Sequence, residues 1–171
     1  MTDIFSFLTE HGIPFEQFDH PAVFTCEEAE RLCPPMPGTA TKNLLLRDRK
    51  GTHNFLVTVG YDTAVDLKGL KDLLQIDKLS FASPERLKSL LGVEPGAVTL
   101  LGIVNDTEGS VEVILDEAIW NAEALQCHPL VNTATLVIPH EGIVRFLEAT
   151  RHPPRILRIP SRKDPNPNPI P

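Results

Sequence analysis

The sequence predicts an α+β domain: a mixed, largely antiparallel sheet with helices packed around it. Two observations carry this. Short apolar or β-branched runs bounded by turn residues recur at 44–46, 54–59, 111–115 and 133–138. Between them lie stretches with helical spacing and their own start and stop residues, at 3–12, 66–74, 83–92 and 141–149. Short strands with helices inserted between hairpins belong to this class.

Taken in order, Asp3 caps a short amphipathic helix that stops at Gly12, and 14–21 reads as a short strand. Thr25 and Glu28 have the spacing of a capping box and open a second helix toward Leu32. Pro34-Pro35-Met36-Pro37-Gly38 cannot continue a helix and is read as a rigid connector. The run 41–51 then gives a strand and a charged turn closing on Gly51, and 54–59 returns antiparallel to it. Lys42 and Asn43 fall at the start of that first strand. Asp66 caps a third helix, 79–81 is a short strand, and Ser83-Pro84-Glu85 opens a fourth helix ending at Gly92. A hairpin is expected from 97–104 and 111–115, followed by a short helix capped by Asp116. The strand 133–138, a last helix 141–149 and a strand over 155–159 complete the domain, which is assigned to residues 1–160. Residues 161–171, with Pro alternating with polar residues from Lys163 on, are expected to be a disordered Pro-rich tail.

Composition narrows the function. The 171 residues are enough for one domain with a proper core. There is no long apolar run, so no membrane span is expected, and no basic-then-apolar start, so no secretory signal is expected. Cys26, Cys33 and Cys127 have no Cys-x-x-Cys spacing, which points to reduced thiols in the cytoplasm. A net charge of −7 argues against bulk coating of nucleic acid, yet leaves room for recognition of one nucleic-acid end by a local basic patch.

Candidate chemistry is sparse. No phosphate-cradling Gly loop, no Gly-x-Ser-x-Gly elbow and no zinc-type His spacing occurs, so no metal or cofactor is expected. Cys26 in its capping turn is best read as a structural thiol. Cys127 and His128 are adjacent and would face opposite ways on a strand, which makes them an improbable catalytic pair. Lys42 and Asn43 are also neighbours and also alternate in direction, so one of them must face the covered side or a cleft, and neither is cheap to bury. Three readings stand: a frayed end, a snorkelling lysine, or a polar pocket lined by the pair. His128-Pro129-Leu130-Val131-Asn132-Thr133-Ala134-Thr135, taken alone, reads as a surface loop entering a core strand, and His20-Pro21 is a weaker copy. Arg47, Arg49 and Lys50 read first as a solvated hairpin tip.

Six stretches together carry a resemblance. They are 20–25 (His-Pro-Ala-Val-Phe-Thr), 41–48 (Thr-Lys-Asn-Leu-Leu-Leu-Arg-Asp), 65–68 (Val-Asp-Leu-Lys), 79–83 (Leu-Ser-Phe-Ala-Ser), 91–98 (Leu-Gly-Val-Glu-Pro-Gly-Ala-Val) and 128–135. In this order they resemble the YbaK/prolyl-tRNA-synthetase-associated editing domain family, and most closely its freestanding PrdX/ProXp-ala branch, which deacylates alanyl-tRNA(Pro). The likeness spans the chain to about Pro160.

The resemblance implies the fold of that family and a trans-editing aminoacyl-tRNA deacylase of the cytoplasm. Its partners would be the acceptor end of tRNA(Pro) carrying alanine and, transiently, prolyl-tRNA synthetase. By the same resemblance Lys42 is the catalytic lysine and Asn43 the adjacent polar residue. His128 and Thr133 belong to the substrate pocket, and Gly102 lies on a strand-loop that offers backbone groups. The run 100–104 lacks the Gly-Gly and following Pro of the YbaK type, which fits the alanine-editing branch better. Arg47, Arg49 and Lys50, or Arg151, Arg155 and Arg158, would contact tRNA phosphates. Direct attack by water needs no Ser or Cys triad, because an aminoacyl ester is already activated. Editing of cysteine or serine, and a non-catalytic tRNA- or synthetase-binding module, are the competing readings.

Overall fold

The structure, a computed structural model, describes residues 1–24 and 26–162, without the side chain of Cys26. Its elements run α1 (Ile4–Glu10), β1 (Glu16–Asp19), α2 (Cys26–Leu32), β2 (Thr39–Arg47), β3 (Asn54–Gly60), α3 (Leu67–Leu74), β4 (Ser80–Phe81) and α4 (Pro84–Leu91). After a 3₁₀ turn (Leu100–Asn105) come β5 (Val111–Asp116), α5 (Glu117–Trp120), β6 (Ala124–Cys127), β7 (Ala134–Pro139), α6 (His140–Ala149) and β8 (Arg155–Leu157). The caps act as their residue types require. The Asp3 carboxylate accepts from the N–H groups of Phe5 and Ser6, Asp66 from Gly69, and the Ser83 hydroxyl from Arg86. The capping box at Thr25 lies outside the described residues, but the Glu28 carboxylate accepts from the Phe24 N–H at 3.2 Å.

The sheet is mixed, in the order β1-β7-β6-β2-β3-β5-β8, with β4 also paired to β2. The β1–β7, β6–β7, β2–β3 and β2–β4 pairs are antiparallel; β2–β6, β3–β5 and β5–β8 are parallel. At its centre the β2–β3 hairpin is registered from Thr41 opposite Gly60 to Arg47 opposite Asn54. Alternation sends neighbouring leucines of β2 to different cores. Leu45 packs with Leu56, Leu91, Leu101, Leu115 and Phe146, while Leu46 packs with Val57, Val59, Leu70 and Ile114. Each such leucine, fully buried, stabilises the fold by about 1.5–3 kcal/mol.

Four expectations need correction. The run 97–104 is not half of a hairpin: Leu100–Asn105 is a 3₁₀ turn, and β5 pairs parallel with β3. The Thr99 hydroxyl caps the turn by accepting from the Leu101 N–H, and a short apolar run does not by itself distinguish a strand from a buried helical turn. Asp116 makes no side-chain cap to α5; its carboxylate accepts from the Ile159 N–H at 2.9 Å, tying β5 to the segment after β8. Strand β6, unforeseen, joins the two halves of the sheet. Ordered pairing also runs past residue 160: Ser161 bridges to Val65, and the Arg162 N–H donates to the Ala64 carbonyl at 2.8 Å. Residues 163–171 of the Pro-rich tail lie outside the described residues. Among the described residues no helix is long and apolar enough to cross a membrane.

Candidate active site

A cleft of about 580 Å³ opens beside the first half of β2. Its lining includes Ala40, Thr41, Lys42 and Asn43 from β2, with Gln126, His128 and Thr135 from β6, its following loop and β7. On the other side stand Ala29 and Glu30 of α2, and Cys33, Pro34, Pro35 and Met36 of the connector. Lys42 and Asn43 are not at the strand's entrance, because β2 begins at Thr39 and both are paired within the ladder, opposite Val59 and Thr58. They lie on opposite faces, as alternation demands, yet both border the cleft.

Two of the lining residues are held as hydrogen-bond donors. The Thr58 hydroxyl, fully buried, donates to Asn43 Oδ1 at 2.7 Å, which fixes the amide and turns its NH₂ end away. The Lys42 ammonium donates to the carbonyl of Thr63, just beyond β3, and retains two further protons for a ligand.

His128, also in the lining, is held as an acceptor. His128 Nδ1 lies 3.1 Å from the Ala134 carbonyl, which has no proton to give, so Nδ1 is the donor. In the neutral ring Nε2 is then a bare acceptor, and it has no protein partner among the described residues. Burial pushes the imidazole below its ordinary range; the Ala134 carbonyl opposes that shift and the nearby His20 adds to it. The Thr99 hydroxyl holds this loop by donating to the His128 carbonyl at 2.8 Å.

Gln126 holds the connector. Its Nε2 faces the carbonyls of Met36, Pro37 and Gly38 at 3.4, 3.1 and 3.3 Å. The Tyr61 hydroxyl donates to Glu30 at 2.9 Å, tying α2 to the segment that follows β3. Gly96, with φ of +93°, brings its backbone so close to the Phe24 ring that a Cβ would lie 2.9 Å from it.

Not every residue singled out in the sequence comes to this place. Gly102 is buried in the 3₁₀ turn, its N–H donating to the Thr99 carbonyl and its Cα packed on Leu91, so it offers no backbone to the cleft. Thr133 is exposed in the loop before β7, and its carbonyl accepts from the His20 N–H; Thr135, two residues on, lines the cleft instead. Arg47, Arg49 and Lys50 sit at the far end of β2, about 17 Å along the strand from Lys42. There Arg47 donates to the carbonyls of Asp48 and Arg49, and Arg49 pairs with Asp77 at 2.8 Å. At the other end of the sheet Arg155 pairs with Glu112 and Arg158 with Glu117. Cys127 packs in the core with its thiol pushed up to about 12 by burial. Cys33 borders the cleft, and burial raises its thiol as well.

Sequence reasoning missed Thr58, Thr99, Gln126 and Thr135. Each is an ordinary strand or loop residue in the sequence, and only the fold brings Thr58 to Asn43, Thr99 to His128, Gln126 to the connector and Thr135 to His20. His20 was noticed but left without a role.

A family model described as the aminoacyl-tRNA editing domain matches residues 20–146. The chain belongs to this family. The match spans every residue of the cleft named above. Among relatives of this editing domain, the prolyl-tRNA editing protein ProX of Acetoanaerobium sticklandii is 37% identical over 142 residues, covering 83% of this chain and 87% of that protein. The prolyl-tRNA synthetase associated domain-containing protein 1 of Danio rerio is 38% identical over 153 residues, covering 88% and 83%. A crystal structure described as a proposed trans-editing enzyme for prolyl tRNA synthetase superposes with a TM-score of 0.60 at 19% identity, over 83% of this chain and 85% of that one. The hypothetical protein APE2540 superposes with a TM-score of 0.69 at 15% identity, over 91% and 98%. These two structural likenesses speak for the fold.

Proposed function

We propose that this editing domain acts in trans as an aminoacyl-tRNA deacylase, hydrolysing alanine from tRNA(Pro) in the cytoplasm. The observation that carries the reading is one cleft lined by held polar groups of both kinds: Lys42 and Asn43 as donors, and His128 with a bare acceptor nitrogen. Relatives named for prolyl-tRNA editing support the tRNA, and the resemblance to the alanine-editing branch supports the amino acid.

Hydrolysis forms one C–O bond from water to the ester carbonyl and breaks the C–O bond to the terminal ribose, and the proton lost by water ends on the ribose oxygen. Negative charge develops on the carbonyl oxygen in between. In this reading Lys42 and the Asn43 amide, already held by Thr63 and Thr58, stabilise that charge with little reorganisation. The reading needs no covalent intermediate and assigns the water no protein base. The cleft as a whole is far larger than an alanyl group, so exclusion of proline falls to local lining residues such as Val98. Attraction for one methyl group supplies only about 1–3 kcal/mol, so exclusion carries the selectivity.

Single-turnover hydrolysis of alanyl-tRNA(Pro), prolyl-tRNA(Pro) and cysteinyl-tRNA(Pro) by wild type and Lys42→Ala tests this. Release of alanine alone, lost in Lys42→Ala, is the expected result. Release of cysteine instead keeps the reaction and discards the substrate. A second reading, a binding module without activity, draws on relatives named for association with prolyl-tRNA synthetase; absence of hydrolysis with binding retained would favour it.

A further inference from the structure

We propose that Thr135, set by His20, forms with His128 the subsite that takes the α-ammonium group of the aminoacyl ester. The inference rests on the deacylase reading and adds the group that orients the substrate's other end.

Hydrogen-bond direction decides what Thr135 offers a ligand. The His20 side chain is buried, with 8% of the residue exposed. Its Nδ1 lies 2.9 Å from the Pro21 carbonyl, and a carbonyl only accepts, so the ring proton of neutral His20 is on Nδ1. Its Nε2 is therefore an acceptor, and it lies 2.8 Å from the Thr135 hydroxyl. The Thr135 proton must point to His20, away from the cleft that Thr135 lines. What Thr135 shows a ligand is oxygen lone pairs only. His128, held by the Ala134 carbonyl of the same strand, shows a bare Nε2, and the two histidine rings are 6.2 Å apart.

Two acceptors in this lining have no use for a carbonyl or a carboxylate, but match a primary ammonium with three protons. Elsewhere in the same lining, Lys42 and Asn43 suit the ester oxygen. An α-amino acid ester carries these complementary groups on adjacent carbons. The cleft thus reads the polarity of an aminoacyl group as well as its size.

The probe is a pair of esters on the same tRNA: alanyl, and lactyl, in which a hydroxyl replaces the ammonium with little change of shape. Single-turnover rates are taken for both with each variant, so the ratio is internal to each protein and insensitive to partial unfolding. With each rate divided by that ester's uncatalysed hydrolysis, wild type is expected to favour alanyl by about 10- to 100-fold, the worth of hydrogen bonds to a charged group. Thr135→Val, which keeps the shape and removes the oxygen, brings the ratio toward one; Thr135→Ser retains it. His20→Phe lowers the ratio in the wild-type background and adds nothing in Thr135→Val, because it acts through that hydroxyl. A ratio unchanged by Thr135→Val, or a wild type indifferent to the two esters, overturns the subsite and leaves the deacylase standing. A wild type that hydrolyses neither overturns both.

Discussion

Two hollows in this molecule have nearly the same volume, about 580 Å³ beside β2 and about 600 Å³ between α5, α6 and β8. The second is lined by Trp120, Val144, Leu147, Pro153, Pro154 and Ile156, with Glu148 and Arg151 also on its walls. Volume does not separate them; the direction of the hydrogen-bonding groups does. In the first, Thr58 aims an amide, the Thr63 carbonyl anchors an ammonium, and the Ala134 carbonyl fixes a tautomer. In the second no comparable set converges among the lining residues. A reactive site needs polar groups whose orientation is determined before the ligand arrives.

The largest effect should come from removing the Lys42 donor. Lys42→Ala is expected to lower single-turnover deacylation at least 100-fold, in line with loss of one preorganised donor. Val144→Ser in the apolar groove should leave the rate within about twofold. A Val144 variant that fell as far as Lys42→Ala would erase the distinction between the hollows.

Next in size is a stability effect near the second hollow. Asp106 is buried; its carboxylate accepts from the N–H groups of Ser110 and Val111 and faces His152 Nε2 at 2.8 Å. His152 Nδ1 is buried with no hydrogen-bond partner. A buried histidine here has a carboxylate instead of a carbonyl as its partner and lines neither hollow, so it holds the end of the 3₁₀ turn to the segment after α6. Asp106→Ala strands two N–H groups and an imidazole and should cost about 3–5 kcal/mol in denaturant unfolding. The folded fraction should keep its deacylation rate. Loss of rate without loss of stability would move His152 into the chemistry.

The pH profile sharpens the contrast further. Because burial holds His128 below the ordinary imidazole range, its acceptor nitrogen stays available at neutral pH and is lost only as pH falls through that lowered value. The acid limb of the alanyl-ester rate should therefore lie below about 6.5, the ordinary histidine value. In His128→Gln, which keeps an acceptor, that limb should disappear. An acid limb above the ordinary value would contradict the neutral His128 on which the acceptor role depends.

The fold was legible where local signals were strong. Asp3, Asp66 and Ser83 cap as their types and positions predict, and the β2–β3 hairpin has the expected pairing. It was not legible where one apolar pattern serves two conformations, as at Leu100–Asn105, or where pairing is long-range, as for β6. The cleft divides in the same way. Lys42, Asn43 and His128 stand in stretches that resemble known ones, and all three line it. Thr58 and Thr135 act through partners 15 and 115 residues away, and no local pattern announces such a pairing. Gly102 was misplaced because a glycine that opens a backbone and one that permits close packing on Leu91 look alike in sequence.

The smallest expected effect concerns the basic hairpin tip. Arg47 is spent on its own turn and Arg49 on Asp77, and the tip stands about 17 Å along the strand from Lys42. A phosphate contact there would lie several nucleotides from the ester, so it would affect tRNA binding and leave the chemical step alone. Arg49→Glu with Lys50→Glu should raise the tRNA concentration for half-maximal rate a fewfold, flatten its salt dependence, and leave the saturated rate unchanged. The same reversal at Arg155 and Arg158 distinguishes the two clusters. If neither pair of reversals changes binding, the tRNA is held at the cleft itself and the exposed charges of both ends are solvated surface.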